Sequence, residues 1–323
     1  MIVTRTPLRI SFVGGGSDQE YFYKEHAGAV VSATIDKYIY IAVNKKFDNK
    51  VRASYSKTEI VNHSKDLQHN LIRESMHLVG YHNGIEIVSI SDIPANGSGL
   101  GSSSSYTVGV LNGLYAHAGI KVSPTGLAED ACYVEKIGTT SPIGKQDQYA
   151  AAYGGLNYMQ FNPDGEVVVE PLTCPQKIRT ELFSRLLLLY TGIERDASKI
   201  LSRQKDKYDE DARGVLRVMT ALAVEMKEAL NRCRLDTFGE LLDENWQLKQ
   251  SLYSGISNGV IDDYYQAAQD AGAIGGKLCG AGGGGFLLLY APKEKHGNII
   301  KSLKLKSMDF SFETLGSTVV YNG

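Results

Sequence analysis

The sequence predicts an α+β fold in two halves, residues 1–172 and 173–323. Alternating strand patterns crowd the early part of the chain, and long amphipathic helical patterns dominate after residue 172. Strands and helices mix without the strict β-α-β rhythm of a parallel sheet. A chain of 323 residues, 43 % of them hydrophobic, can bury one large core or two ordinary ones.

The elements follow in order. Ile10 and Phe12 point one way and Arg9 and Ser11 the other, as in a half-buried strand, until "GGGSD" (Gly14 to Asp18) breaks it. "AVVSATIDKYIYIAVNKKF" is rich in β-branched and aromatic residues and predicts one or two long strands. "GIEIVSISDIP" alternates and stops at Pro94. A helix is expected over Ser102 to His117, with Tyr106, Val110, Leu111, Leu114 and Tyr115 on one stripe. Gly109 and Gly113 sit four apart on it and invite close approach by another element. A second helix is expected from Pro124 to about Ile137, with Ser123 as its N-cap and Gly138 as its stop. "RLLLLYTG" predicts a buried strand. Helices are then expected over 196–208, 215–231, 237–254 and 258–271. "GAGGGG" leads into a buried strand, "FLLLYAP", and the tail from Gly297 suggests one more helix and one more strand.

Composition removes several function classes. A formal net charge of −2 lacks the basic surplus of a nucleic-acid binder. The four cysteines are far apart and form no CxxC pair, which predicts reduced thiols in a cytoplasmic protein. The histidines show no zinc spacing. No run approaches the ~20 apolar residues that span a bilayer, and the N-terminus lacks a secretory core, so no membrane partner is expected. The oligomeric state stays open, a homodimer included.

The segment "NGSGLGSSSS", Asn96 to Ser105, holds three glycines and five serines just before a helix. Glycines let backbone N–H groups converge, and the first helical turn adds unpaired donors at the positive end of its dipole. That design suits phosphate; a loop that merely turns into a Ser N-cap is the plain alternative. GxxxxGK followed by Ser or Thr is absent: "GAIGGKL" has one residue too few and Leu278 in the last place. "GAGGGG" (Gly280 to Gly285) fits GxGxxG only formally, because a strand follows it, not a helix.

"PLRISFVGGGSD", "PANGSGLGSSSS" and "KLCGAGGGGF" stand in that order along the chain. Together they resemble the GHMP kinase superfamily (galacto-, homoserine, mevalonate and phosphomevalonate kinases) across nearly the whole chain. "TPLRISFVGGGSD" and "VEKIGTTSPIGKQDQYAAAYGGLN" most resemble its heptose 7-phosphate kinase branch. The resemblance implies an N-terminal domain like ribosomal protein S5 domain 2 and a ferredoxin-like C-terminal domain. It implies ATP and Mg²⁺, transfer to the anomeric hydroxyl of a heptose 7-phosphate, and a place in nucleotide-activated heptose and surface polysaccharide synthesis.

It also implies site residues. ATP would lie on Asn96, Gly97, Ser98, Gly99, Leu100, Gly101, Ser102, Ser103 and Ser104. Glu135 and Ser103 would hold the metal, with Ser104 as the neighbouring choice. Asp147, twelve residues after Glu135, would be the general base, with Arg9 beside it. A role for Asp147 confined to orienting the hydroxyl stays open. Gly15, Gly16, Ser17, Asp18, Gly282 and Gly283 would contact the sugar, and Arg195 is preferred over Lys24, Arg73, Lys199 and Arg203 for its distal phosphate.

Each role has a plain structural alternative. Glu135 next to Lys136 reads as a solvated helix residue, Asp147 as a first-turn Asp, and Arg9 as a surface strand residue. "SDQE" fits a capping box, Ser17 bonding forward and Glu20 back. Lys277 reads as a solvated head group. Ser104 and Ser105 replace the alanines of the relatives' "GLGSSAA", and Cys279 stands where many relatives have Thr. The competing functions are a kinase of an unphosphorylated sugar (fucose or a uronic acid), a non-catalytic sugar sensor on the same fold, and a dehydrogenase.

Overall fold

A computed structural model of the chain describes residues 1–93, 97–138, 142–194 and 197–323, leaving aside the side chains of 197 and 198. The chain opens with β1 (Ile2–Val13), then a short α1 (Glu20–Tyr23) and β2 (Gly28–Lys45). β3 (Val51–Ser54), β4 (Thr58–Val61), α2 (Asn70–Val79) and β5 (Ile85–Ser91) follow. Next come α3 (Ser102–His117), α4 (Pro124–Gly138), α5 (Gln146–Tyr153), β6 (Leu156–Phe161) and β7 (Val167–Pro171). "AVVSATIDKYIYIAVNK" therefore belongs to a single strand, β2, of 18 residues and roughly 60 Å. That length lets it serve two partners on one side. Gly28–Ala33 pairs with β6 and Ile39–Lys45 with β5, while β1 runs antiparallel along the other side.

The large sheet has eight strands in the order β12-β1-β2-β5-β3-β4, with β6 and β7 branching from β2. Only β3 and β5 are parallel among the described ladders. Helix α3 lies on β1 and β2. A Cβ at Gly109 would stand 2.9 Å from Thr6 Oγ1, and one at Gly113 would stand 2.9 Å from Val43 Cγ2. The two glycines thus set the helix down on the sheet. The expected single stripe is too narrow a description. Val108, Ser104, Ser105 and Thr107 are buried as well, because α4 and α5 close over the other faces of α3. Leu127, Ala131 and Val134 of α4 pack there as their spacing predicts, and Ser123 accepts the Gly126 N–H at the helix start.

The second half contains α6 (Gln176–Ser184), β8 (Leu186–Tyr190), α7 (Ala197–Asp206), α8 (Glu210–Asn231), α9 (Leu235–Ser251) and α10 (Gly259–Asp270). β9 (Gly275–Leu278), β10 (Phe286–Tyr290), α11 (His296–Leu303), β11 (Lys306–Met308) and β12 (Thr318–Asn322) complete it. Helix α8 starts five residues earlier than its apolar pattern suggests, because Asp209 caps it by accepting the Ala212 N–H at 2.9 Å. A four-stranded antiparallel sheet, β11-β8-β10-β9, packs against Trp246, Ile261, Tyr265 and Ile299. The "CGAGGGG" segment is the hairpin loop between β9 and β10.

β1 to β7 lie in the large sheet and β8 to β11 in the small one, with one exception among the strands. β12 returns to the first sheet and pairs antiparallel with β1. The halves also share apolar contacts. Phe12 meets Phe238 edge-on with centroids 5.0 Å apart, and Leu222 and Met226 of α8 join the same core. Each such buried side chain contributes about 1.5–3 kcal/mol relative to exposure.

Candidate active site

The three glycine-rich loops converge on one cleft of about 700 Å³. Gly15 and Gly16 come from the loop after β1, Gly97, Ser98, Gly99 and Gly101 from the loop before α3, Ser102 to Ser104 from the first turn of α3, and Gly280 and Ala281 from the β9–β10 hairpin. Backbone contacts stitch the loops together. The Arg9 N–H donates to Leu100 O at 3.0 Å, and the Phe286 N–H donates to Ser98 O at 3.2 Å. A Cβ on Gly285 would lie 2.4 Å from Gly97 O, so the hairpin sits directly on the second loop.

Helix α3 begins without a side-chain cap, which corrects the Ser N-cap alternative. Its N-cap is Gly101 at φ +75°, a conformation that favours glycine. Ser98 instead spends its hydroxyl on the Leu100 N–H and the Ser102 hydroxyl. Gly101, Ser102, Ser103 and Ser104 line the cleft where the first-turn amides of a helix lack intrahelical partners. That is the physical basis of an anion cradle.

Arg9 is no surface residue; it is 3 % exposed. Its guanidinium holds Asp147 in a fork, Nε to Oδ1 at 2.7 Å and Nη2 to Oδ2 at 2.7 Å. Its remaining nitrogen, Nη1, donates to Gly99 O at 2.7 Å. One side chain therefore ties the candidate base to the loop that opens α3. Asp147 occupies the first turn of α5, with its side chain 25 % exposed toward the cleft.

Asp18 fixes the start of that helix from across the cleft. Its Oδ2 accepts the Gln146 N–H at 3.2 Å, and its Oδ1 accepts the Gly16 N–H at 2.9 Å and Gln146 Nε2 at 3.1 Å. Burial pushes its carboxyl above the ordinary value, and the Asp147 charge adds to the rise. The capping box is overturned. Ser17 is buried, its one hydroxyl hydrogen shared between Gly14 O and Ala29 O and its oxygen accepting the Ala29 N–H, while Glu20 pairs with Lys24 and Lys136.

Glu135 is 3 % exposed, not solvated. Desolvation pushes its carboxyl up to about 7, against a hydrogen bond from Ser104 and with the Asp147 charge adding to the rise. The serine that reaches it is Ser104, whose Oγ donates to Oε2 at 3.2 Å; Ser103 is exposed at the cleft lining. A buried carboxylate beside hydroxyls is a hard-oxygen donor set, and a cation there would restore its charge. These residues fit Mg²⁺, which takes only one or two protein ligands in nucleotide sites. Among the described residues no cluster of three or more His, Cys, Asp or Glu could form a closed metal cage.

Other expected residues fall elsewhere. Asn96 and Arg195 lie outside the described residues. Ser17, Leu100, Gly282 and Gly283 do not line the cleft. Gly282 packs on Ile256, and the Gly283 N–H donates to Ile256 O, so both shape the hairpin. The sequence reading passed over Gln146, Gln148, Tyr21 and Tyr208, all of which line the cleft. "KQDQY" could have flagged the two glutamines, since they flank Asp147. Tyr21 and Tyr208 meet at 4.7 Å between centroids across 187 residues of sequence (208 − 21), which no local signal reveals. Lys277, read as solvated, and Lys249 are buried and line the cleft too.

Comparison with known proteins supplies the family. Residues 65–155 match the model of the GHMP kinases N-terminal domain, and residues 226–305 that of the GHMP kinases C-terminal domain. A D-glycero-alpha-D-manno-heptose 7-phosphate kinase of Campylobacter jejuni is 31 % identical, covering 98 % of this chain and 97 % of its own. A bifunctional fucokinase/GDP-fucose pyrophosphorylase of Arabidopsis thaliana is 27 % identical over 88 % of this chain and 29 % of its own. The crystal structure of a D-glycero-D-manno-heptose 1-phosphate kinase from Bacteroides thetaiotaomicron has the same fold, with a TM-score of 0.82 over 100 % of both chains at 23 % identity. Full-length similarity to a sugar kinase, matches to both domain models and three glycine loops around one cleft lead to a single conclusion: the chain belongs to the GHMP kinase family and has its two-domain α+β fold.

Proposed function

We propose that this protein is an ATP-dependent kinase of the anomeric C1 hydroxyl of D-glycero-D-manno-heptose 7-phosphate. The product would be the 1,7-bisphosphate, destined for nucleotide-activated heptose and surface polysaccharide synthesis in the cytoplasm. The observation that carries the reading is the Arg9 fork, which joins Asp147 to the loop that opens α3. Phosphoryl transfer asks the protein for positioning and charge neutralisation more than for covalent chemistry.

The amides and hydroxyls of Gly97 to Ser104 hold the triphosphate of ATP in this reading. Asp147 accepts the proton of the C1 hydroxyl as its oxygen bonds to the γ-phosphorus; the bond from that phosphorus to the bridging oxygen breaks and ADP leaves. An anomeric hydroxyl is more acidic than an ordinary alcohol, so a modest base suffices. Arg9 fixes the plane of the Asp147 carboxylate and adds positive charge beside the transferring group. Asp18 and Gln146 hold the first turn of α5 in place and offer polar groups to the sugar. Glu135, with Ser104 or Ser103, would hold Mg²⁺, which when bound supplies charge neutralisation at the phosphates.

An ADP-release assay with heptose 7-phosphate, fucose and galacturonate tests the assignment, with the product site read by phosphorus NMR. Turnover of heptose 7-phosphate well above the others is expected. The fucokinase relatives favour a second reading, a kinase of an unphosphorylated sugar. Faster turnover of a neutral sugar would establish that reading in place of the first.

A further inference from the structure

We propose that Lys249 and Lys277 form a second anion subsite in the cleft, which takes the phosphate monoester at the far end of the acceptor sugar. This rests on the sugar-phosphate kinase reading and names the part of the site that reads the phosphate.

Among the described residues, the cleft is lined by three basic side chains: Arg9, Lys249 and Lys277. Arg9 is committed, with its donors on both Asp147 oxygens and on Gly99 O. Of the other cations considered from the sequence, Arg195 lies outside the described residues, and Lys24, Arg73, Lys199 and Arg203 do not line the cleft. Lys24 pairs with Glu20, Arg73 with Glu74, and Arg203 donates to Tyr253. Lys199 is exposed and does not line the cleft.

Lys249 and Lys277 come from α9 and β9, so the second half of the chain supplies both. They are 6 % and 1 % exposed. A backbone carbonyl orients each ammonium. Lys277 Nζ donates to Phe12 O at 2.9 Å, and Lys249 Nζ donates to Gly280 O. An ammonium carries three donors, and Phe12 takes one of those on Lys277.

Two like charges brought close together in a buried cleft repel each other. Burial pushes Lys277 well below the ordinary lysine value, and the Lys249 and Arg9 charges add to that push. Asp18 and Cys279 oppose it and do not cancel it. A phosphate dianion would offset that repulsion and favour the charged form of Lys277.

Spacing separates this subsite from the triphosphate cradle. Arg9, which holds Asp147, and Phe12, which holds Lys277, are three residues apart on β1, roughly 10 Å. A pyranose with a two-carbon arm and a terminal phosphate spans a comparable length. With C1 at Asp147, its distal phosphate would reach the lysines.

Calorimetric titration with heptose 7-phosphate and with unphosphorylated heptose, both without ATP, tests the subsite. The wild-type protein should bind the phosphorylated sugar about 10²-fold tighter, the scale of a charge-assisted contact to a desolvated anion. Lys249→Met and, independently, Lys277→Met should bring the two sugars to within about threefold, and Lys249→Arg should keep most of the preference. Thermal melts and near-ultraviolet circular dichroism confirm that each variant is folded. Equal binding of both sugars by the wild type overturns the proposal. So does an undiminished preference in the two Met variants, equal weakening of both sugars, or a loss confined to a nonhydrolysable ATP analogue. If the phosphate preference is present but phosphorus NMR shows no phosphate at C1, the subsite stands and the reaction assignment falls.

Discussion

Replacing Asp147 by Asn tests the catalytic reading most directly. The carboxylate offers two acceptors to the Arg9 fork, at 2.7 Å each. An Asn amide offers one acceptor and presents N–H groups to the other arm. One charge-assisted hydrogen bond is lost, about 1.5–3 kcal/mol in a fully buried site. The Asp147 side chain is 25 % exposed, so water recovers part of this and the stability loss should be about 1–2 kcal/mol. The kinetic loss should be larger. Removing a general base lowers turnover roughly 10²- to 10⁴-fold, or about 3–5.5 kcal/mol in barrier height. Arg9 keeps its bond to Gly99 O, so the phosphate loop should hold its shape and nucleotide affinity should change little. A coupled ADP assay at saturating substrates gives kcat, and calorimetry with a nonhydrolysable ATP analogue gives affinity. A kcat within fivefold of wild type, in a variant that melts normally, would refute the assignment of Asp147 as base. A loss of analogue affinity that matched the loss of turnover would point to collapse of the loop instead.

Gly101→Val should weaken ATP-analogue binding at least about tenfold, because a Cβ there meets Arg9 Cγ at 3.2 Å and φ is +75°; calorimetry showing retained affinity would contradict the cradle. Gly144→Ala places a Cβ 1.8 Å from Asp18 Oδ2, so it should unseat the start of α5 and lower kcat/KM for the sugar by roughly tenfold or more; unchanged sugar kinetics would show that the Asp18 contact is dispensable. Lys277 yields a pH signature. Its folded-state value is depressed, so the unfolded chain binds the extra proton between that value and the ordinary lysine value, and wild-type stability should rise with pH across that window. Lys277→Met should lose that rise, as read by urea unfolding at several pH values; a wild-type-minus-variant difference that stays constant would rule out a lysine held below its ordinary value in the folded protein. Ser104→Ala should raise the Mg²⁺ concentration for half-maximal turnover more than Ser103→Ala does, because Ser104 is the serine bonded to Glu135; the reverse order would assign the metal contact to Ser103.

The parts legible in the sequence are those with local rules. The α3 boundaries, Ser102 and His117, follow from a glycine loop before the helix and an apolar pattern within it. Gly109 and Gly113 announce a close approach without saying that β1 and β2 make it. The convergence of the three loops came from a family resemblance, since 83 residues separate Asn96 from Val13 (96 − 13) and chain order alone does not bring them together. The charged groups were hardest to place. Arg9 looks like a solvent-facing alternation partner of Ile10, yet α5 and the second loop cover it. Ser17 and Glu20 have capping-box spacing, but Ala29 and Gly14 claim the serine first. Lys249 sits among "WQLKQ" like any amphipathic-helix lysine, and only the fold turns it toward the cleft. β4 and β7 are missed because strands of four and five residues that are half-exposed carry little periodicity.

The return of β12 to β1 bears on any attempt to study the halves apart. A fragment ending at residue 172 would leave the backbone of Ile2 to Arg5 without its outer neighbour, a bare margin ready to recruit other chains. It would also strip the covering of α8 and α9 from Phe12, a few residues beyond Arg9 on the same strand. The tail thus guards the base of the strand that carries the Arg9 guanidinium, and dissection at the obvious seam would yield sticky pieces in place of two working modules.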